Sequence, residues 1–143
     1  MPKKKLTIDP IKQYKLLPLV ERKALELIRL CAEAGTPIRI TEGYRSPERQ
    51  AQLYAQGRTA PGKIVTNAKP GESIHQYGCA FDVVFVKTGY EGNWEKLGQM
   101  GRMLGFAWGG DFKSIKDRPH FELTMGYRMI DFKNKKVDYS RYQ

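Results

Sequence analysis

The stretch Ser73-Ile74-His75-Gln76-Tyr77-Gly78-Cys79-Ala80-Phe81-Asp82 sets a histidine and an aspartate seven residues apart across a glycine. Asp82 is embedded in Ala80-Phe81-Asp82-Val83-Val84-Phe85, which reads as a central strand, mostly apolar on both faces. A bare carboxylate is costly to bury there, so an arginine, several N–H donors or a cation has to offset it. Gly78 permits a turn that folds His75 back toward Asp82. Downstream, Asp117-Arg118-Pro119-His120-Phe121-Glu122 carries the second of the chain's two histidines. Pro119 restricts the approach, and alternation turns the His120 imidazole and the Phe121 ring to opposite faces.

Outward from these two motifs the chain reads as an α+β domain, one mixed or antiparallel sheet with helices packed on it. From Leu16 to Ala34 the apolar positions Leu17, Val20, Ala24, Leu27, Ile28 and Cys31 recur at helical spacing, with Gly35 and Pro37 as the stop. Residues 37–44 alternate as a strand, and Ser46-Pro47 then starts a helix that runs to Gly57. Arg45 therefore sits at a strand-to-helix corner, where spacing alone leaves a cleft-facing and a surface role equally open. Residues 57–72 form an aperiodic Gly/Pro-containing loop, long enough to be functional or mobile. Trp94 to Leu104 is amphipathic, although Gly98 and Gly101 weaken it as a helix. Residues 106–112 read as a short strand and turn, and Phe121 to Leu123 as a last strand. The expected core spans about residues 16–124, between a basic arm (1–15) and a basic, aromatic tail (125–143), with no repeats and no second domain.

The 143 residues suffice for one domain with a real core, and 41% hydrophobic and 28% charged residues exclude a disordered or fibrous chain. A net charge of +10 attracts polyanions, whether nucleic acid, anionic lipid or an acidic wall polymer. Two cysteines, Cys31 and Cys79, make no disulfide framework and read as small buried residues. The Lys3-Lys4-Lys5 start lacks a following apolar segment, no run has the length of a membrane span, and no phosphate-binding glycine loop occurs. The expectation is synthesis in the cytosol.

A catalytic zinc takes three protein ligands and leaves a position for water. His75, Asp82 and His120 would supply that set, with Asp117 as an unligated carboxylate to move the proton and Arg45 to stabilise an oxyanion. The residues by themselves leave two structural histidines just as open.

Ser73-x-His75-x-x-Gly78-x-Ala80-x-Asp82 resembles the S-x-H-x-x-G-x-A-x-D motif of the VanY/VanX-type zinc peptidases, and Asp117-x-x-His120 resembles their second motif. Gly43-Tyr44-Arg45-Ser46, with Gln50 and Leu53 behind it, is similar to the family's arginine-bearing segment. The resemblance covers about residues 37–124. It implies a hedgehog/D-Ala-D-Ala-peptidase-like fold, one Zn²⁺ per chain on His75, Asp82 and His120, Asp117 as general base and acid, and Arg45 as a substrate or oxyanion contact. Ser73 would orient or contact the site, and Glu122 would steady a ligand histidine. Trp108 and Asp111 would line the cleft, with the core as an alternative for Trp108. The Asp-Arg-Pro-His-Phe-Glu segment looks like the L-alanyl-D-glutamate branch, implying a monomeric endopeptidase that acts on the peptidoglycan stem peptide. The picture is a phage endolysin, released through a holin and held on an anionic envelope by its basic surface in place of a wall-binding domain. The alternatives are a D-alanyl-D-alanine carboxypeptidase or dipeptidase, a member holding zinc for structure only, and a non-catalytic basic module, such as one for nucleic acid.

Overall fold

The computed structural model describes residues 9–143. Its elements run α1 (Pro18–Glu33), β1 (Ile38–Glu42), α2 (Pro47–Ala55), β2 (Ala80–Phe85), α3 (Trp94–Met103), β3 (Ala107–Trp108), β4 (His120–Glu122) and α4 (Met129–Lys133), with short 3-10 turns between. The four strands lie in the order β1-β2-β4-β3, and every pair is antiparallel. No helix among the described residues is long and apolar enough to cross a membrane.

Register decides what each face carries. Phe81 stands opposite Phe121, Trp108 opposite Phe121, and Ile40 opposite Val83, so one face is wholly apolar. The residues between them, Glu42, Asp82, His120 and Glu122, share the other face. A shift in pairing between Ile40 and Glu42 brings Glu42 opposite Asp82 despite the odd spacing. α1 and α3 cover the apolar face, with Val20, Ala24, Leu27, Cys31 and Leu97 in the same core as Phe81 and Phe121.

Gly98 and Gly101, which weaken α3 as a sequence pattern, are where the helix meets the sheet. A Cβ on Gly98 would lie 2.4 Å from the Trp108 ring, and one on Gly101 would lie 2.3 Å from Phe121. Their missing side chains let the helix backbone approach two fully packed aromatics. Gly101→Ala is therefore expected to lower unfolding free energy by about 1–3 kcal/mol through overpacking. It does so although alanine favours a helix over glycine by ~1 kcal/mol. Urea denaturation checks it.

Described residues on both sides of the expected 16–124 core are buried with it, which widens those boundaries. Ile11 is buried, and Tyr14 donates its hydroxyl to the Ile40 carbonyl at 2.8 Å. Of the expected basic arm, residues 1–8 lie outside the described residues. In the expected tail, Phe132, Val137 and Tyr142 are buried, and the Tyr142 hydroxyl donates to the Leu123 carbonyl at 2.9 Å. Cys31 and Cys79 are free thiols in the core, where burial pushes Cys79 up to about 12.

Candidate metal centre

His75 is fixed from several directions. It lies in the 3-10 turn Ile74–Tyr77, whose cap Ser73 accepts the His75 backbone N–H on its hydroxyl at 3.3 Å. Gly78 closes the turn at φ +75°, the left-handed region that glycine enters without strain. The His75 Nδ1–H donates to the Gly43 carbonyl at 2.8 Å, which leaves Nε2 as a lone pair aimed inward. Arg45 N–H in turn donates to the His75 carbonyl at 3.0 Å. The side chain is 3% exposed.

Asp82 and His120 are cross-strand partners in β2 and β4. His120 Nε2–H donates to Glu122 Oε1 at 2.6 Å, so Nδ1 is the nitrogen turned to the centre. His75 Nε2, His120 Nδ1 and Asp82 Oδ1 then form a triangle with edges of 3.1, 3.2 and 3.2 Å. A tetrahedral ion bound at about 2.0–2.1 Å needs ligand edges of about 3.3–3.4 Å. Two imidazole lone pairs and a carboxylate converging this closely repel one another unless a cation or proton lies among them. The donor set therefore fits a divalent metal such as zinc.

The electrostatics carry the same message. Burial works against a charge on His120, but the carboxylates of Asp82 and Glu122 on either side outweigh it and push the pKa up to about 10. Burial likewise opposes charge on Asp82, yet the imidazoles of His120 and His75 beside it hold its carboxyl well below the usual range. Without metal, a proton shared within this cluster takes the cation's place.

Asp117 lies just outside the triangle, its Oδ2 3.9 Å from His120 Nδ1 and its side chain 46% exposed. Burial, and then the charge on Asp82, raises its pKa. The carboxylate is thus more basic than an ordinary aspartate and open to the cleft. Its backbone is set by Gly109, whose carbonyl accepts the Asp117 N–H at 2.9 Å. A Cβ on Gly109 would fall 2.0 Å from the Asp117 carbonyl oxygen, so no other residue fits there.

Arg45 lines the cleft, but most of its donors are already engaged. Nε and Nη2 clasp Glu42 at 2.8 Å each, Nη1 donates to Gln50 at 3.0 Å, and Nη2 comes within 3.8 Å of Asp82 Oδ2. Gln50, fully buried, continues the chain by donating to the Ala68 carbonyl at 2.8 Å, which ties α2 to the 57–72 loop. Val65, Asn67 and Ala68 of that loop, with Phe112, Ser114 and Ile115, line a cleft of about 410 Å³ that includes the donor triangle.

Two expected cleft residues lie elsewhere. Trp108 is 2% exposed and stays in the core, because its ring fills the space above Gly98 and Gly110. Its indole N–H donates to the Arg118 carbonyl at 2.7 Å, so it holds the Asp117–His120 segment from behind. Asp111 points away and is clasped by Arg102 at 2.8 and 3.0 Å. Ser73 lines the cleft and caps the His75 turn, and Glu122 stands behind His120. Sequence reasoning passed over Glu42, the Gly43 carbonyl, Gly109 and Phe112. Glu42 carried a usable signal, being a carboxylate three residues before Arg45 next to a strand end.

Glu122→Gln keeps the shape but removes the charge that stabilises and orients the His120 ring. Metal affinity is expected to fall about 10–100-fold. Competition with a chromophoric chelator measures it, and unchanged affinity would remove Glu122 from the site.

Two imidazoles, one carboxylate and a neighbouring basic aspartate, set on one face of an antiparallel sheet at the floor of a cleft, define a metallohydrolase. Residues 66–123 match the family model described as D-alanyl-D-alanine carboxypeptidase. Bacillus subtilis CwlK, a peptidoglycan L-alanyl-D-glutamate endopeptidase, is 42% identical over 122 residues, 76% of this chain and 73% of that protein. The chain belongs to the M15 family, the VanY-type peptidases. Among solved structures, the LdcB LD-carboxypeptidase superposes with a TM-score of 0.61 at 25% identity over 89% of this chain and 74% of that one. The vancomycin-resistance D,D-pentapeptidase VanY, solved with Zn(II), gives 0.57 at 18% identity over 86% and 80%, a likeness of fold.

Proposed function

We propose that this chain is a zinc endopeptidase that hydrolyses the bond between L-alanine and D-glutamate in the peptidoglycan stem peptide. The observation that carries the hydrolase reading is Asp117, a half-exposed carboxylate of raised pKa beside a candidate metal-ligand triangle in a cleft. A site that held metal only for structure would have no use for it. The choice of bond is supported by the 42% identity to an L-alanyl-D-glutamate endopeptidase over three quarters of both chains.

His75, Asp82 and His120 would hold the zinc, which when bound would supply Lewis-acid chemistry to the water and the scissile carbonyl. Asp117 takes the proton from the attacking water and delivers it to the departing D-glutamate nitrogen. Burial and the neighbouring Asp82 charge raise its pKa, which strengthens it as the base. Gly43 and Glu122 keep the two imidazoles in the tautomers that turn a lone pair to the centre. Arg45, held by Glu42 and Gln50, presents its remaining N–H groups and positive charge toward the cleft, where they steady a developing oxyanion. Glu42 keeps that guanidinium from collapsing onto Asp82.

The biological setting that suits a +10 chain is lysis from within by a phage-type endolysin, passed to the wall through a holin and retained on an anionic envelope. One digestion tests the reading. Mass spectrometry of purified peptidoglycan should show stems lost after L-alanine, in the presence of metal and not of chelator. Release of D-alanine instead would favour a D-alanyl-D-alanine carboxypeptidase, the description its family model carries. No cleavage by zinc-loaded protein would overturn both.

A further inference from the structure

The segment that carries the chemistry has a second face. Asp117 and His120 turn into the metal cleft, whereas Lys116, Arg118 and Pro119 line a separate recess of about 380 Å³ together with Tyr90 and Trp94. None of these five residues is acidic. The nearby Asp111 is already committed to Arg102. Among the described residues neither Lys116 nor Arg118 forms an ion pair with a carboxylate; Lys116 reaches only the Gly110 and Phe112 carbonyls, at 3.4 and 3.5 Å.

Tyr90 is the second unusual element. It is 65% exposed, at the end of a tight turn after β2 in which Phe85 and Gly89 exchange backbone hydrogen bonds. Its backbone is nonetheless held, because the buried Trp94 donates its indole N–H to the Tyr90 carbonyl at 2.8 Å and packs against Phe85. The Lys116–Pro119 backbone is equally fixed: the Arg118 carbonyl accepts from Trp108 and the Pro119 carbonyl from the Val83 N–H. An exposed aromatic side chain on a held backbone, sharing one recess with two cations that have no carboxylate partner among the described residues, does little to stabilise a fold and can hold a ligand.

We propose that this recess binds an anionic glycan, a sugar polymer bearing phosphate or carboxylate groups. A sugar ring stacks on Tyr90 while the anion sits between Lys116 and Arg118. The inference uses the wall-peptidase reading only for the source of the polymer. It makes retention on the wall a property of one built surface rather than of net charge alone. The polymer would also lie along the back of the segment whose front carries Asp117 and His120.

The test is co-sedimentation of the full chain with isolated cell walls, beside hydrolysis of a soluble stem peptide. Tyr90→Ala and the Lys116→Ala/Arg118→Ala double variant are each expected to bind walls about tenfold more weakly, with soluble-peptide hydrolysis unchanged. Lys135→Ala/Lys136→Ala removes the same charge elsewhere and should bind like the parent. Equal losses in both double variants, or parental binding by Tyr90→Ala, would overturn the proposal. Walls stripped of phosphodiester polymer separate the sources: binding lost on stripping identifies phosphate, and Tyr90-dependent binding retained identifies carboxylate. Should walls bind through Tyr90 while no stem peptide is cut, the peptidase reading falls and this one stands.

Discussion

Asp117→Asn is expected to lower kcat about 10²–10⁴-fold while zinc content stays that of the parent. The substitution preserves volume and removes the basic oxygen. The three donor atoms of the triangle belong to other residues, so the metal should be retained. The backbone of Asp117 is fixed by Gly109 and His120 independently of its side chain, so the fold should not change. Steady-state kinetics on a soluble stem peptide, beside metal analysis of the same preparation, separates the outcomes. Loss of activity with loss of zinc would mean that Asp117 supports the metal rather than the proton transfer. Activity within a few-fold of the parent would mean that another group moves the proton.

Removing the metal is expected to reduce activity on the order of a thousandfold or more, reversibly on adding zinc, and to make folding stability depend on pH in a defined direction. In the metal-free protein His120 has a pKa of about 10, against about 6.5 unfolded. A raised value means that the folded state binds the extra proton. The stabilisation is present in full below the unfolded pKa and is lost as the pH climbs through about 10. Denaturant midpoints of chelator-treated protein should therefore fall between about pH 6.5 and 10. Zinc-loaded protein should lack this loss, because a ligand imidazole carries no proton at the metal-facing nitrogen. The same competition makes apparent zinc affinity rise about tenfold per pH unit across the neutral range. Flat affinity after correction for the chelator's own protonation would show that His120 is already neutral in the metal-free protein.

Much of the fold is legible where local chemistry decides it. Ser46 caps α2 through the Arg49 N–H, with Pro47 as its first residue, as the sequence indicates. The alternation around Phe81 and Phe121 places the metal-binding side chains on one face and the core on the other. Where tertiary contact decides, the sequence is silent. Gly98 and Gly101 look like helix weakeners until Trp108 and Phe121 are seen against them. Met103 is apolar yet exposed, because α3 turns Trp94, Leu97, Gly98 and Gly101 inward and leaves Met103 on the far face. The tail reads as a basic appendage because its buried residues, Phe132, Val137 and Tyr142, are spread among lysines without a period.

The site follows the same division. His75, Asp82 and His120 converge because a turn and a strand pairing are written locally around each. Asp111 and Trp108 are placed in the cleft only by the family resemblance, with the core as the alternative for Trp108; Arg102 holds Asp111 away, and Trp108 takes the core beside Gly98. The role of Glu42 depends on an irregularity in the β1–β2 pairing that no residue pattern announces.

Because Asp82 and His120 face each other across β2 and β4, the metal does more than equip a cleft. Side chains alternate along a strand, so sliding β4 by one residue would turn His120 into the core and bring Phe121 beside Asp82. Only one alignment of the sheet can chelate. An ion present during folding would favour the correct pairing, because every slipped one lacks the ligand set. Refolding with zinc present should yield a more homogeneous product than refolding with chelator, as a matter of selection among sheets and apart from any gain in final stability.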